Sequence, residues 1–187
     1  TRMAVIMLMA FNSGLDAQDI RPYLQTPTDT SVWITWKTDY EKESKVIYGM
    51  DSANLSSVVT GDCRVLSDAD YDSNYFSHSV YITDLIPEQA YYYRIITGVQ
   101  QSEIFRFYTQ PSVGTTSGIY RFLVFGDHQV RSDDRYKRLL IAAREKIIEK
   151  YGGSVEDHVR LIINDGDQVD QGILDQYEYV HYKPSAV

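Results

Sequence analysis

Two segments of the sequence combine residue types that can bind a metal ion. Gly126 and Asp127 directly follow one apolar run, whereas Gly166 and Asp167 follow a second run, with Asp170 close behind. Carboxylates at the ends of buried strands offer oxygen ligands to divalent cations. The two Gly-Asp pairs therefore predict a metal site in which one aspartate can bridge two ions.

Two apolar strands must carry these pairs. Residues 119–125 and 159–163 are nearly continuous in apolar residues, which is typical of inner strands buried on both faces of a parallel sheet. Parallel strands joined by a crossover end at the same edge of the sheet. If the strands are adjacent, their axes lie about 4.8 Å apart, so Asp127 and Asp167 can reach a common cation.

The segment between the strands has the signals of a helix. Ser132 is the predicted N-cap, Asp133 and Asp134 are expected in the first turn, Lys150 lies in the last turn, and Gly152 ends the helix. An apolar stripe that can cover a sheet face comprises Tyr136, Leu140, Ala143, Ile147 and Tyr151. Residues 119–167 are therefore predicted to form a strand, a helix and a strand.

The composition limits the classes of partner and site. The chain has 187 residues, a net charge of −8 and no cluster of Lys or Arg, so we expect no nucleic-acid partner. The single cysteine, Cys63, excludes an internal disulfide framework and a cysteine-rich zinc site. The length is sufficient for two small domains.

Residues 1–18 have the features of a truncated secretory signal peptide. Arg2 precedes an apolar run over residues 3–11, and the predicted cleavage point follows Ala17. The alternative interpretation is a buried N-terminal strand. The apolar run is too short to span a bilayer, so we expect a secreted, periplasmic or cell-surface protein without a transmembrane segment. The first residue is not Met and the chain ends soon after the second Gly-Asp pair, which predicts a fragment.

Residues 19–110 predict an all-β sandwich of the immunoglobulin or fibronectin III type. Short alternating segments such as residues 32–36 are separated by turn residues, and about seven strands are expected. One of the three tyrosines Tyr91, Tyr92 and Tyr93 is expected to bond back to the main chain, as in the tyrosine corner of such sandwiches.

The remaining boundaries follow from composition. Residues 111–118 are rich in Ser, Thr and Gly and are the predicted linker, so residues 119–187 form the second domain.

His78 opens a predicted strand and is expected to be a structural residue rather than a metal ligand. Exposed aromatic side chains of the sandwich remain an alternative binding surface for carbohydrate or protein.

Two stretches of the chain resemble purple acid phosphatases and their bacterial relatives. In the first, Arg21-Pro22-Tyr23-Leu24-Gln25, Trp36, Val46-Ile47-Tyr48-Gly49 and the segment from His78 to Arg94 are similar to the fibronectin III-like N-terminal domain of that family. In the second, Gly126-Asp127 and Gly166-Asp167 are similar to the first two metal motifs of its calcineurin-like metallophosphoesterase domain.

The resemblance implies a function and an architecture. Residues 119–187 would be the start of a four-layer αββα domain, limited here to a strand-helix-strand unit. Asp127 would hold one of two metal ions, Asp167 would bridge both, and the protein would hydrolyse phosphate monoesters of small molecules or phosphoproteins. The later histidine ligands of the family are absent, so we expect this fragment alone to be inactive.

Two positions depart from the purple members of the family. Asp170 stands where those members have a tyrosine, and the segment from Gly166 to Gly172 is closer to the serine/threonine phosphatase branch. Asp170 is either a substitute ligand or a residue that supports one. Gln129 replaces a histidine ligand, and its neutral amide offers only oxygen to a metal or its water. His128 is a weaker candidate, as a proton donor.

Two other functions remain open from the sequence. One is a non-enzymatic surface-binding or adhesion protein with a degenerate phosphatase domain. The other is a small-molecule phosphodiesterase on the same scaffold. The metal identity is equally open, because carboxylate and amide oxygens accept iron, zinc, manganese or magnesium.

Overall fold

The computed structural model of the chain describes residues 22–67, 75–129, 134–177 and 180. Alternation of apolar and polar residues gives a β-sandwich in the first half of this part. Its strands are β1 (Tyr23–Gln25), β2 (Val32–Thr38), β3 (Ser44–Gly49), β4 (Ser57–Leu66), β5 (Tyr75–Ile82), β6 (Ala90–Thr97), β7 (Gln100–Gln101) and β8 (Phe105–Tyr108).

The strands form two antiparallel layers that share β4. One layer has the order β1-β2-β5, and the second half of β4 pairs with β5. In the other layer the first half of β4 pairs with β3, β3 pairs with β6, and both β7 and β8 pair with β6. The expected β-sandwich is therefore present, with one strand crossing between its layers.

Gly61 is the residue at which β4 changes layers. It pairs with Ser44 of β3, whereas the next residue, Asp62, pairs with Ser79 of β5. A Cβ on Gly61 would lie 2.0 Å from the carbonyl oxygen of Ser79. Only glycine allows this close backbone approach, which is how strands turn the corner of a sandwich.

The core lies between the two layers and is apolar. Every second residue of β2 faces inward and is buried, as are alternate residues of β5 and β6. The core side chains are Val32, Ile34, Trp36, Val46, Val80, Ile82, Leu85, Tyr91, Tyr93, Ile95 and Phe107. Burial of such side chains stabilises the sandwich by roughly 1.5–3 kcal/mol each.

Two polar features of the sandwich match the sequence predictions. The hydroxyl of Tyr91 accepts a hydrogen bond from the backbone N–H of Ile86 at 3.0 Å, which confirms the tyrosine corner. His78 is buried, and its ring nitrogens lie 2.7 Å from the hydroxyls of Thr38 and Ser44. Burial lowers the pKa of His78 to about 4, so His78 is a neutral structural residue, as expected.

The second half of the described chain forms a strand-helix-strand unit. It contains β9 (Phe122–Phe125), α1 (Arg135–Tyr151), α2 (Val155–His158), β10 (Leu161–Asn164) and α3 (Leu174–Gln176). β9 and β10 pair in parallel, from Leu161 opposite Phe122 to Asn164 opposite Phe125. The predicted parallel arrangement is confirmed, and the two strands are adjacent, whereas α2 was not predicted.

The helix start differs from the sequence prediction, whereas its end agrees. Asp134 has a left-handed backbone with φ of 49°, so it precedes the helix rather than lying in its first turn. Ser132 and Asp133 lie outside the described residues. Gly152, with φ of 73°, ends the helix and donates its N–H to the carbonyl of Ile148 at 2.8 Å.

Neither face of the β9–β10 pair is fully covered by the described residues, which corrects the prediction of strands buried on both faces. Ile162, on the same face as Phe125, is 45% exposed. Tyr136 of α1 packs edge-on against Phe125, with ring centroids 5.7 Å apart. On the opposite face, Phe122 and Val124 are each 51% exposed. The apolar composition of the strands is therefore not matched by burial in this chain, because no described element packs on the second face.

The predicted signal peptide, residues 1–18, lies outside the described part. Within the described residues, none of the helices has the length and hydropathy needed to cross a membrane.

Candidate metal centre

The two Gly-Asp loops begin side by side at one edge of the parallel strand pair. Asn164, the last residue of β10, lies opposite Phe125, the last residue of β9. The pairing extends one residue further, since the N–H of Asp165 donates to the carbonyl of Phe125 at 2.9 Å. Asp127 and Asp167 thus follow neighbouring strand ends, as the sequence predicted from the crossover.

Asp127 and Asp167 share an unusual backbone conformation. Their φ angles are 54° and 46°, in the left-handed region, and both side chains are exposed. A left-handed conformation costs a residue with a Cβ roughly 1–2 kcal/mol, although aspartate tolerates it better than most residues. Such strain is most frequent at functional sites, where the surrounding structure holds it in place.

Asp165 is a residue of this edge that the sequence analysis missed. A Cβ on Gly126 would lie 2.1 Å from Oδ1 of Asp165, so the carboxylate rests against the backbone of Gly126. Gly126 thus leaves the space that the Asp165 carboxylate occupies. The position of Asp165 directly before Gly166-Asp167 was the available signal.

His128 is fully buried behind the first loop. Its ring stacks on Tyr136 of α1, with centroids 3.9 Å apart and planes 17° apart. Burial lowers the pKa of His128, and a hydrogen bond with the backbone of Gly126 and the charge of Asp127 oppose this shift. Through this stacking, His128 anchors the loop that contains Asp127 and Gln129 to α1.

Two amide oxygens near the loops are buried without a hydrogen-bond partner. They are Oε1 of Gln129 and Oδ1 of Asn164. A buried acceptor without a partner costs about 1–3 kcal/mol, so a ligand or water that donates to it, or a cation, is favoured there. Gln129 was predicted as an oxygen ligand, whereas Asn164 was not predicted.

The edge is acidic. Asp127, Asp165, Asp167 and Asp170 form no ion pair with a Lys or Arg of the described part. Asp170 is exposed. No group of three or more His, Cys, Asp or Glu side chains in that part is arranged to hold a metal ion. The described oxygen donors by themselves do not complete a metal site.

The sequence of the β-sandwich matches a known protein family. Residues 17–109 match the family described as purple acid phosphatase, N-terminal domain. No curated protein matches the sequence significantly.

Two solved structures share the fold. Purple acid phosphatase PPD1 from yellow lupin (Lupinus luteus) has a TM-score of 0.65 and 17% identity, over 87% of this chain and 32% of that one. PhoD has a TM-score of 0.55 and 15% identity, over 90% of this chain and 35% of that one. The chain thus spans about a third of either structure, and the shared fold extends beyond the sandwich. Residues 17–109 therefore carry a purple acid phosphatase N-terminal domain.

Proposed function

We propose that this chain is part of a metal-dependent phosphoesterase that hydrolyses phosphate monoesters, with Asp127 and Asp167 among its metal ligands. One observation carries the proposal. Both aspartates hold a left-handed backbone at the same edge of two hydrogen-bonded parallel strands. In the chain this edge follows a purple acid phosphatase N-terminal domain, which supports the reaction class.

Each residue of the edge has a proposed role. Asp127 binds one ion, Asp167 binds between two, and Oε1 of Gln129 accepts from a ligand water or contacts the first ion. Asp170, which is exposed, either supports Asp167 or serves as a further ligand. When bound, two ions of iron, zinc, manganese or magnesium would stabilise charge on the attacking and leaving oxygens of the phosphoryl group.

The charge at the edge supports metal dependence. Four aspartates lie on two adjacent loops, and the whole chain has a net charge of −8. A phosphate ester would be repelled by these carboxylates unless bound cations reversed the local potential. The same net charge disfavours long nucleic-acid substrates, so the proposed substrates are phosphorylated small molecules or phosphoproteins.

The proposal places residues 119–187 at the start of a four-layer α/β domain. The exposed outer face of Phe122 and Val124 is consistent with a further layer that packs on these two strands. Further ligands would complete the centre, so the chain alone is expected to be inactive. The apolar run at residues 3–11 favours export from the cytoplasm.

Metal binding and hydrolysis test the proposal separately. Equilibrium dialysis against Mn²⁺ should show binding to the wild-type chain that weakens by about 10-fold or more in Asp127→Asn and in Asp167→Asn. Asp84→Asn is the matched control, because Asp84 is an exposed aspartate of the sandwich with φ of 59°. Hydrolysis of an aryl phosphate monoester is expected only when the chain is followed by further metal ligands. Equal Mn²⁺ binding by all four proteins would contradict the proposal.

Surface binding by the sandwich is a second candidate function, favoured by one observation. Trp33 and Tyr81 are 36% and 43% exposed and stack on each other with ring centroids 4.6 Å apart. Aromatic rings on a sheet surface favour contacts with carbohydrate or protein. Pull-down with insoluble polysaccharides would test this, with Trp33→Ala expected to release the protein and the exposed Val58→Ala expected to leave binding unchanged.

A further inference from the structure

Gln110 stands at the junction between the sandwich and the strand-helix-strand unit, and it is only 9% exposed. Its backbone is fixed to the sandwich at both ends. Its N–H donates to the carbonyl of Thr28 at 3.1 Å, and its carbonyl accepts from the N–H of Glu88 at 3.2 Å. The side chain of Gln110 therefore projects from a rigid base.

The side-chain amide of Gln110 contacts the beginnings of both strands that lead to the metal edge. Nε2 donates to the carbonyl of Arg160 at 3.0 Å, directly before β10. Oε1 accepts from the hydroxyl of Tyr120 at 2.6 Å, two residues before β9. Between these contacts, the N–H of Arg160 donates to the carbonyl of Arg121 at 2.9 Å. One side chain thus holds the amino ends of β9 and β10 together.

The covalent connection cannot perform this task. Residues 112–120, which join Gln110 to β9, are all exposed. An exposed connection of that length does not by itself fix the direction of the strand that follows it. The hydrogen bonds of Gln110 instead link the sandwich to Tyr120, at the end of this segment, and to Arg160, directly before β10.

A second set of contacts holds the entrance of β10 from the same side. Arg106 of β8 donates to Oδ1 of Asp157 at 2.9 Å and to the hydroxyl of Ser154 at 2.8 Å. The hydroxyl of Tyr108 donates to the same Asp157 oxygen at 3.2 Å, and the guanidinium of Arg160 lies 4.4 Å from the centre of the Tyr108 ring. Ser154 and Asp157 form the capping box of α2, which leads directly into β10.

We propose that Gln110 is a positioning residue, through which the sandwich sets the relative placement of β9 and β10 and so of Asp127 and Asp167. Each strand has only four residues between the Gln110 contact and the metal edge, a span of about 13 Å. A displacement of the amino ends of β9 and β10 should therefore also displace their carboxyl ends. The role for the two aspartates rests on the proposed function, whereas the coupling itself does not require metal.

Hydrogen exchange of single amides tests the coupling. Gln110→Glu keeps the side-chain size and the acceptor for Tyr120 but places an oxygen against the carbonyl of Arg160. Exchange of the Asp165 N–H, which bonds to Phe125 at the far end of the pair, should accelerate by about 10-fold. Tyr120→Phe removes only a hydroxyl and should accelerate it by about 3- to 5-fold.

Two control variants separate coupling from general destabilisation. Gln101→Glu changes an exposed glutamine of the sandwich, whose Oε1 accepts from Arg94 at 2.9 Å. Ile82→Val loosens the sandwich core away from Gln110. Neither should change exchange at Asp165. Unchanged exchange at Asp165 in Gln110→Glu, or equal acceleration in Ile82→Val, would overturn the proposal.

A Mn²⁺ titration distinguishes failure of this inference from failure of the proposed function. If the wild-type chain binds Mn²⁺ at the edge, Gln110→Glu should weaken binding, because the shifted strands hold Asp127 and Asp167 away from their binding positions. If no Mn²⁺ binds while Gln110→Glu still accelerates exchange at Asp165, the coupling between Gln110 and the strand ends is supported and the proposed metal function is contradicted. If Mn²⁺ binds equally to wild type and Gln110→Glu, the positioning role is wrong.

Discussion

The carboxylate of Asp165 occupies the space next to Gly126 that a side chain at that position would need, with Oδ1 2.1 Å from the site of a Cβ. The two residues come from different loops, so the first Gly-Asp pair lies directly beside the second. Gly126 follows β9 and Asp165 follows β10, so the two residues meet only when these strands are paired.

Gly126→Ala should therefore destabilise the strand-helix-strand unit. The added methyl displaces the Asp165 carboxylate, which is the exposed end of a flexible side chain, so the cost should stay below about 1 kcal/mol. Denaturant unfolding of the variant measures this loss. In the Asp165→Ala background the same Gly126→Ala change should cost much less, because the clashing oxygen is absent. Equal costs in both backgrounds would show that the contact is not the cause.

Glycine at position 127 or 167 should relieve backbone strain while removing a proposed ligand. Glycine adopts positive φ without a steric penalty, but it also gains entropy in the unfolded chain. We expect Asp127→Gly and Asp167→Gly each to raise the free energy of unfolding by up to about 1 kcal/mol, and each to lose Mn²⁺ binding.

Two other aspartates serve as controls for this prediction. Asp84, with φ of 59°, should gain similar stability on change to glycine, with Mn²⁺ binding retained. Asp170 lacks a positive φ, so Asp170→Gly should not gain stability. A loss of stability in Asp127→Gly and Asp167→Gly as large as that in Asp170→Gly would contradict the strain argument.

The contact of Asp157 with the sandwich predicts an acid-sensitive junction. Hydrogen bonds from the backbone and hydroxyl of Ser154, together with the charge of Arg106, lower the pKa of Asp157 from 3.8 to about 2. The folded state therefore binds this proton less readily than the unfolded state. The stabilisation is fully present above pH 4 and is lost as the pH falls toward 2.

Unfolding measured between pH 4 and pH 2 checks this prediction. Asp157→Asn should show a shallower fall in the free energy of unfolding than wild type over that range. Ser154→Ala should give an intermediate slope, because it removes one of the two Ser154 hydrogen bonds. Identical slopes for wild type and Asp157→Asn would contradict the assignment.

His78 predicts a second pH dependence, at higher pH and inside the sandwich. Burial lowers its pKa from 6.5 to about 4, so the unfolded state takes up a proton before the folded state does. Stability should therefore decrease as the pH falls from about 6.5 to about 4. Burial also lowers the pKa of His128, which adds in the same direction.

Substitution separates the His78 contribution from the others. His78→Gln should reduce the slope of unfolding free energy against pH over this range, although it lowers stability overall. Trp36→Phe is the matched control, because Trp36 stacks on His78 at 5.1 Å but does not titrate. Trp36→Phe should lower the free energy of unfolding at every pH but keep the wild-type dependence of that free energy on pH. An unchanged slope in His78→Gln would show that His78 does not titrate as expected.

Local sequence signals predicted the features that depend on neighbouring residues. The parallel pairing of β9 and β10 followed from two apolar runs joined by a helix, and the tyrosine corner followed from the residues before β6. Gly152 ended the helix because only a residue that tolerates positive φ fits there.

Features that depend on distant contacts were not predictable in the same way. The left-handed backbone of Asp127 and Asp167, the packing of Asp165 on Gly126 and the two-sided contact of Gln110 arise only when separate segments meet. The buried position of His128 likewise depends on the ring of Tyr136 in α1. Sequence patterning located the edge but not the side chains that hold it in place.

Paramagnetic broadening by Mn²⁺ is the most direct test of the central claim that Asp127 and Asp167 serve the same cation centre. In the NMR spectrum of the chain, amides of residues 126–128 and 165–168 should broaden together at the same Mn²⁺ concentration. In Asp167→Asn both segments should require a higher concentration, by about 10-fold or more. Broadening of one segment alone, of neither segment, or of unrelated acidic turns such as residues 51–54 at lower concentration would contradict the account.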